Sequence, residues 1–270
     1  HFEDEAEAYG LADTGYTTQA AFFDYDKDGD LDMYLLNHLL YSHTANNLQP
    51  KDTSGNSPAE DKLYRNNGVP QGQTHPVYED ISQLAGIKED GYGLGLVITD
   101  VNNDNWPDIY VTNDYIGNDL LWLNNKNGTF SNIIATSLRH QSYNSMGVDA
   151  ADINNDLLPD LATLDMQPEV NERKKMMASA TNLEKFDMQQ RFGYQPSFVR
   201  NMLQLNNGNR QRDNKEEPFY SEIGQMAGIA ETDWSWSVLM ADFDNDGWKD
   251  IHITNGLAKD DRNSSHHICT

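Results

Sequence analysis

The chain has 270 residues with 43 acidic against 19 basic side chains, a formal net charge of -24, and such a surface repels nucleic acid, which needs basic footprints. No apolar run approaches the roughly 18 residues of a membrane-spanning helix, and a single cysteine, Cys269, excludes a disulfide framework. Aromatic residues at 10% with a mean hydropathy of -0.74 suit many short strands joined by polar loops, in one large domain or two small ones.

In chain order, Phe2 and Gly10 stand eight residues apart, a spacing that recurs from Tyr78 to Gly86 and from Tyr220 to Gly228. The chain is therefore expected to open inside the fourth strand of a repeating unit. Ala20-Ala21-Phe22-Phe23 then reads as a strand. It runs into Asp24-Tyr25-Asp26-Lys27-Asp28-Gly29-Asp30-Leu31-Asp32, and Met33-Tyr34-Leu35-Leu36 reads as a second strand. The succession recurs three times. Leu96-Val97-Ile98-Thr99 leads to Asp100-Val101-Asn102-Asn103-Asp104, which closes on Asp108 before Ile109-Tyr110-Val111-Thr112. Val148-Asp149-Ala150-Ala151 leads to Asp152-Ile153-Asn154-Asn155-Asp156, which closes on Asp160 before Leu161-Ala162-Thr163-Leu164. Val238-Leu239-Met240-Ala241 leads to Asp242-Phe243-Asp244-Asn245-Asp246, which closes on Asp250 before Ile251-His252-Ile253-Thr254.

All four loops carry Asp at position 1, Asp or Asn at 3, Asp at 5 and Asp at 9. Hard oxygen ligands crowded at alternate positions repel one another unless a cation sits among them, and Ca²⁺ accepts an oxygen cage of this kind. One such loop reads as a solvated acidic turn; four in one register predict four Ca²⁺ sites. The predicted side-chain ligands are Asp24, Asp26, Asp28 and Asp32; Asp100, Asn102, Asp104 and Asp108; Asp152, Asn154, Asp156 and Asp160; and Asp242, Asp244, Asp246 and Asp250. Backbone carbonyls at position 7 would come from Asp30, Trp106, Leu158 and Trp248. The EF-hand is excluded, because position 12 is Leu35, Val111, Thr163 or Ile253 inside a strand where that loop needs a Glu before a helix. Four such cations would bring the net charge to about -16. Loops one and four have carboxylates at all four side-chain positions and Gly29 or Gly247 at position 6. Loop three has Asn154 and Leu157 instead, and is expected to empty first. Millimolar calcium fills even weak loops, which argues for an extracellular, secreted or cell-surface location.

After three of the hairpins come Leu63-Tyr64-Arg65-Asn66-Asn67-Gly68, Leu121-Trp122-Leu123-Asn124-Asn125 and Leu203-Gln204-Leu205-Asn206-Asn207-Gly208. Asn-Gly turns of this kind link antiparallel strands. Tyr78, Phe130 and Tyr220, each with Ile three residues on (Ile81, Ile133, Ile223), mark a fourth strand. Four-stranded antiparallel units in series predict an all-β fold, a β-propeller with blades over 16–82, 92–135 and 143–223 and two strands of a fourth from Trp234. The propeller domain spans 1–256, and 257–270 is an irregular tail. Both an arc of a larger propeller and a four-bladed ring closed by the Phe2 strand remain open.

The meander places the calcium loops and Asn-Gly turns on one face. It places two long insertions, 38–61 and 167–200, on the other, the first irregular and the second helical. Long loops on a rigid scaffold are where binding sits. That face also holds His38, Tyr41 and His43, the aromatics Tyr92, Tyr143, Trp234 and Trp236, and the basic run Arg173-Lys174-Lys175, which could meet an anionic glycan. The aromatics could equally pack between blades, and the basic run could equally be a solvated helix face. His266 and His267 fall in the tail. Asp149 interrupts an apolar strand, facing either channel water or a pocket. Asn127-Gly128-Thr129 matches a glycosylation sequon inside a turn.

The nine-residue loops, the Asp108-Ile109-Tyr110-Val111-Thr112-Asn113 type of strand and the Asn-Asn-Gly turns together resemble the FG-GAP (VCBS) repeat family. Its repeats build the propellers of integrin α subunits and many bacterial surface proteins, and the nearest likeness is to cartilage-acidic-protein and UnbV-like secreted proteins. The resemblance covers about 2–256. It implies calcium at the Asp and Asn positions named above and a propeller commonly of seven blades, so that about four are present here and the remaining blades or domains belong to a longer chain. Leu157 departs from the family's usual Gly. With no nucleophile beside a base, no phosphate loop and no paired carboxylates outside the loops, two functions stay open. One is a calcium-stabilised extracellular binding or adhesion module taking a protein or carbohydrate ligand on the insertion face. The other is a polysaccharide-acting lyase or hydrolase with its site on that face.

Overall fold

The computed structural model describes residues 3–39, 50–114, 117–177, 183–212 and 215–256. Phe2, Tyr41, His43 and the tail with His266, His267 and Cys269 lie outside the described residues. Strands fall where the period-2 alternation places them. β1 (Thr17–Phe23), β2 (Asp32–Asn37), β3 (Lys62–Asn66) and β4 (Tyr78–Asp80) form an antiparallel sheet in sequence order. β5 (Gly93–Thr99), β6 (Asp108–Asn113), β7 (Leu120–Asn124) and β8 (Phe130–Asn132) form a second. β9 (Gln141–Ser142) precedes a third sheet, which begins with β10 (Val148–Ala151) and β11 (Asp160–Thr163). The insertion contributes β12 (Met166–Gln167) and β13 (Ser197–Phe198), and β14 (Met202–Arg212) and β15 (Lys215–Glu222) complete the third sheet. β16 (Asp233–Ala241) and β17 (Asp250–Asn255) pair with β12 in a fourth, while β9 and β13 pair in parallel.

Alternation explains how the sheets stack. Tyr34 and Leu36 of β2 point into a core shared with Ile109 and Val111 of β6, whereas Met33 and Leu35 point to the other side with Tyr64. Tyr110 and Leu121 join Leu161 and Tyr220 in a second core, and Ala162 and Leu203 join Val238 and Met240 in a third. Each middle sheet is thus covered on both faces, so β6 is buried along its whole length. The first strands of successive sheets are stitched side by side. Thr18 Oγ1 and Gln19 Nε2 donate to the carbonyls of Gly93 and Leu94 at 2.8 and 3.0 Å. Asp149 Oδ2 accepts the Met240 N–H at 2.7 Å. The acid that interrupts β10 therefore fastens the third sheet to the fourth. At Gly147 a side chain would lie 2.6 Å from the Trp236 carbonyl, so only glycine permits this approach.

The glycine eight residues after each aromatic caps a short helical turn. α1 (Ala6–Tyr9) ends at Gly10 with φ +77°, and α2 (Ser82–Ala85) ends at Gly86 with φ +86°. The Leu11 and Ile87 N–H groups return to the carbonyls of Ala6 and Ser82 at 2.8 and 2.9 Å. The second unit has α3 (Ile134–Ser137) without a glycine cap.

Two of the expected Asn-Asn-Gly turns are not turns. After Asn66 the chain keeps pairing, with the Asn67 N–H on the Val77 carbonyl and the Val77 N–H on the Gly68 carbonyl at 2.9 and 3.1 Å, so that residues 69–76 make the connection to β4. At Asn206-Asn207-Gly208 the strand continues. Gly208, at φ +80°, forms a bulge, and pairing resumes from Asn209 opposite Pro218 to Arg212 opposite Lys215.

The second insertion is helical as expected, with α4 (Asn171–Met177) and α5 (Leu183–Arg191). Arg173 Nε lies 3.1 Å from Asp233 Oδ1 and Lys174 Nζ lies 2.5 Å from Glu231 Oε1. Two of the three residues in the basic run thus fasten α4 to the entry of β16 and are not a free cationic patch. No helix among the described residues is long and apolar enough to cross a membrane.

Candidate metal centre

The four Asp-rich loops connect β1 to β2, β5 to β6, β10 to β11 and β16 to β17, and they share one backbone path. Position 4 is left-handed in each, with φ of 63°, 58°, 60° and 62° at Lys27, Asn103, Asn155 and Asn245. Position 6 is left-handed too, at Gly29, Asn105, Leu157 and Gly247. The position-1 carboxylate closes the loop by accepting the position-6 N–H, at 3.1, 2.6, 2.8 and 3.0 Å for Asp24, Asp100, Asp152 and Asp242. The position-5 carboxylate accepts the position-7 N–H, at 3.1, 2.9, 2.9 and 2.8 Å for Asp28, Asp104, Asp156 and Asp246.

Position 9 does something the spacing alone does not reveal. Asp32, Asp108 and Asp160 are fully buried, and each joins two chain segments. Oδ2 accepts the position-2 N–H of Tyr25, Val101 or Ile153 at 3.3, 3.0 and 3.0 Å. Oδ1 accepts the main-chain N–H of Asn66, Asn124 or Asn206 at 2.8, 2.7 and 2.8 Å. Burial pushes the Asp32 carboxyl up to about 7 and that of Asp108 to about 8, against the pull of these N–H donors. Burial also raises Asp160. Asp250, in the fourth sheet, is exposed and, among the described residues, accepts only the Phe243 N–H, at 3.1 Å.

The remaining oxygens converge. One from each of Asp24, Asp26 and Asp28 lie within 4.8 Å of one another, and Asp242, Asp244 and Asp250 do the same in loop four. Asp24 Oδ1 and Asp30 Oδ1 are shut off from solvent without any hydrogen-bond donor. An all-oxygen set with orphaned carboxylate atoms fits a hard divalent cation. The Asp30 contribution was expected from its carbonyl; the residue also lines one concavity with Asp26 and Asp28. Loops two and three differ. Asn102 and Asn154 turn their amide nitrogens to Asp104 Oδ2 and Asp156 Oδ2, at 2.7 and 2.9 Å. Lys126 Nζ adds an ion pair to Asp104 at 2.9 Å. Trp106, Leu158 and Trp248, whose carbonyls were expected as ligands, hold position 7 by giving their N–H groups to the position-5 carboxylates.

Sequence reasoning missed the first Asn of each Asn-Asn turn. Asn124 Nδ2 reaches the carbonyl of Tyr25 in the preceding sheet's loop at 2.9 Å, and Asn206 Nδ2 reaches that of Val101 at 3.0 Å. Its recurrence at one place in three units was the available signal. It also missed a buried pair on the opposite face. Tyr34 and Tyr110 hydroxyls donate to Asp61 and Asp119 at 2.7 and 2.8 Å. These carboxylates also accept the Asn37 and Asn113 N–H groups. Burial pushes both up to about 7. In the third sheet Ala162 replaces the tyrosine, and Asn201 replaces the acid and accepts the Asp165 N–H at 2.7 Å.

Elsewhere on that face, His38 lines a cavity of about 250 Å³ with Thr14, Tyr16 and Pro58, and its ring meets Tyr92 edge-on at 5.5 Å. Tyr143 is buried, so packing claims it; Trp236 is 47% exposed. Asn127 Oδ1 is occupied within its own turn by Thr129.

No curated protein matches the chain significantly. The model of the FG-GAP-like repeat matches residues 100–163, from the Asp that opens loop two to the end of β11. This chain carries the FG-GAP-like repeat.

Proposed function

We propose that the chain is a calcium-stabilised extracellular binding or adhesion module, secreted or at the cell surface, whose stacked sheets form an arc of a β-propeller. Each Asp-rich loop holds one Ca²⁺. The observation that carries this reading is the convergence of Asp24, Asp26 and Asp28, with Asp24 Oδ1 and Asp30 Oδ1 orphaned, repeated by Asp242, Asp244 and Asp250 in loop four. Carboxylates brought together in a folded chain oppose folding unless a cation offsets them, so the ion's binding energy becomes folding energy. Loops one and four are the strong sites. Loop two has part of its charge met by Lys126, and loop three has Leu157 in a left-handed backbone, so these are the weaker two.

The loops' polar groups are taken up by the ions, by their own turns and by the neighbouring loop, which leaves recognition of a protein or carbohydrate to the opposite face, where the insertions lie. Binding is preferred over catalysis because the acids Asp61 and Asp119 on that face are held in structural pairs with Tyr34 and Tyr110. Calorimetric calcium titration and thermal unfolding in excess EDTA test the reading. The expected result is about four ions bound and a lower unfolding temperature in chelator; no binding heat with an unchanged transition would overturn it.

A further inference from the structure

Each loop is tied to the one that follows by its position-4 side chain. Asn103 Nδ2 donates to the Leu157 carbonyl at 2.9 Å, and Asn155 Nδ2 donates to the Gly247 carbonyl at 3.1 Å. The donor is position 4 of one loop and the acceptor position 6 of the next. In loop one the same position is Lys27, whose Nζ lies 4.9 Å above the ring of Trp106, position 7 of loop two. The direction is constant along the row.

The accepting peptides are held at both ends. The peptide from Leu157 to Leu158 takes Asn103 on its oxygen and gives its N–H to Asp156 Oδ1 at 2.9 Å. The peptide from Gly247 to Trp248 takes Asn155 and gives its N–H to Asp246 Oδ1 at 2.8 Å. Each therefore sets the orientation of a position-5 carboxylate. On the donor side, Asn155 stands between Asn154 and Asp156, and Asn103 between Asn102 and Asp104. Whatever immobilises positions 3 and 5 also immobilises the side chain between them.

We infer that the loops load as a coupled row, with Asn103 and Asn155 as positioning residues that transmit order from one cation site to the next. This rests on the calcium reading above. Ordering of loop three aligns Asn155, which fixes the peptide that orients Asp246 in loop four. By linkage, occupancy of loop four must strengthen loop three by the same factor. Asn is suited to the task because it tolerates a left-handed backbone while carrying an amide donor.

The test is a calcium titration of the full chain followed by tryptophan fluorescence, with the signal of a Trp248→Phe copy subtracted so that, of the five tryptophans, Trp248 on loop four is the one read, and with calorimetry counting the ions. Asn155→Gly keeps the left-handed backbone accessible and removes the amide. Although it lies in loop three, it should weaken the Trp248 transition about three- to tenfold, the worth of one hydrogen bond, and bring a Hill coefficient above one down to one. Asn245→Gly is the control. It is the same change in loop four, where the Asn side chain makes no hydrogen bond among the described residues, and it should leave the cooperativity intact. An unmoved Trp248 transition in Asn155→Gly, with the ion count unchanged, overturns the coupling and leaves the calcium reading standing. Absence of binding heat in the parent overturns both.

Discussion

Leu157 is the only residue at position 6 of its kind of loop that is neither Gly nor Asn, and it holds φ at +70°. A left-handed backbone costs a residue with a β-carbon roughly 1–2 kcal/mol. Packing returns little of this, because the side chain is 80% exposed. Leu157→Gly removes the strain but loosens the unfolded chain, at a cost of roughly 0.4–1 kcal/mol. The balance is a gain of about 0.5–1 kcal/mol. Leu157→Ala keeps the strain and gives up little burial, so it should sit within about 0.5 kcal/mol of the parent. The comparison of the two variants isolates the backbone term. Urea midpoints in excess calcium are the better assay, since a gain this small moves Tm by only about 1–4 °C in a chain this long. The glycine variant should also hold its third ion more tightly. An alanine variant as stable as the glycine variant, or more so, would refute the reasoning, because the left-handed backbone would then carry no strain.

Asn206→Ala should lower stability by about 1–3 kcal/mol in denaturant titrations, because it strands the Val101 carbonyl and leaves the Pro159 carbonyl only the Tyr220 hydroxyl. Exposed Asn207→Ala should stay within about 0.5 kcal/mol. Asp149→Ala should loosen the third sheet from the fourth and speed amide exchange at Met240, whereas Asp149→Asn keeps an acceptor and should not. The pH dependence follows from the raised carboxyls. Asp61 and Asp119 are each pushed to about 7 in the folded chain, so folding retains protons that the unfolded chain has released above about 4. Their contribution is full below the unfolded value and is lost as pH rises through about 7. Urea midpoints in excess chelator should therefore fall between pH 5 and 8, and Asp119→Asn should flatten the slope; a rising midpoint in the parent would contradict the assignment.

The strands and loops were legible because both signals are local. Apolar alternation and the repeated acid spacing need no distant partner to be seen. The continued pairing past Gly68 and Gly208 was not legible, since an Asn-Gly pair between two strands reads as a turn, whereas Gly68 still meets Val77 and Asn209 meets Pro218. The residues that decide it lie beyond, where Asn209 to Arg212 find a pairing strand. Tyr34 with Asp61 spans 27 residues, and one acid among 43 acidic residues carries no mark of being buried. Asp149 stood out as an anomaly, but its partner is the main-chain N–H of Met240, which has no sequence signature. The run at Arg173 looked like a surface for anions because its neutralising partners, Glu231 and Asp233, are distant in the chain.

The clips made by Asn124 and Asn206 set a timetable for the growing chain. Asn124 fastens the loop at Tyr25 across 99 residues, and Asn206 fastens the loop at Val101 across 105. A ribosome adding about 5–20 residues per second leaves each loop waiting some 5–20 s for its clip. During synthesis the first and second sheets are thus each finished by the one behind it, and the loop just made stays open until then. A pause placed just after one loop is translated would lengthen that exposure without touching the folded protein.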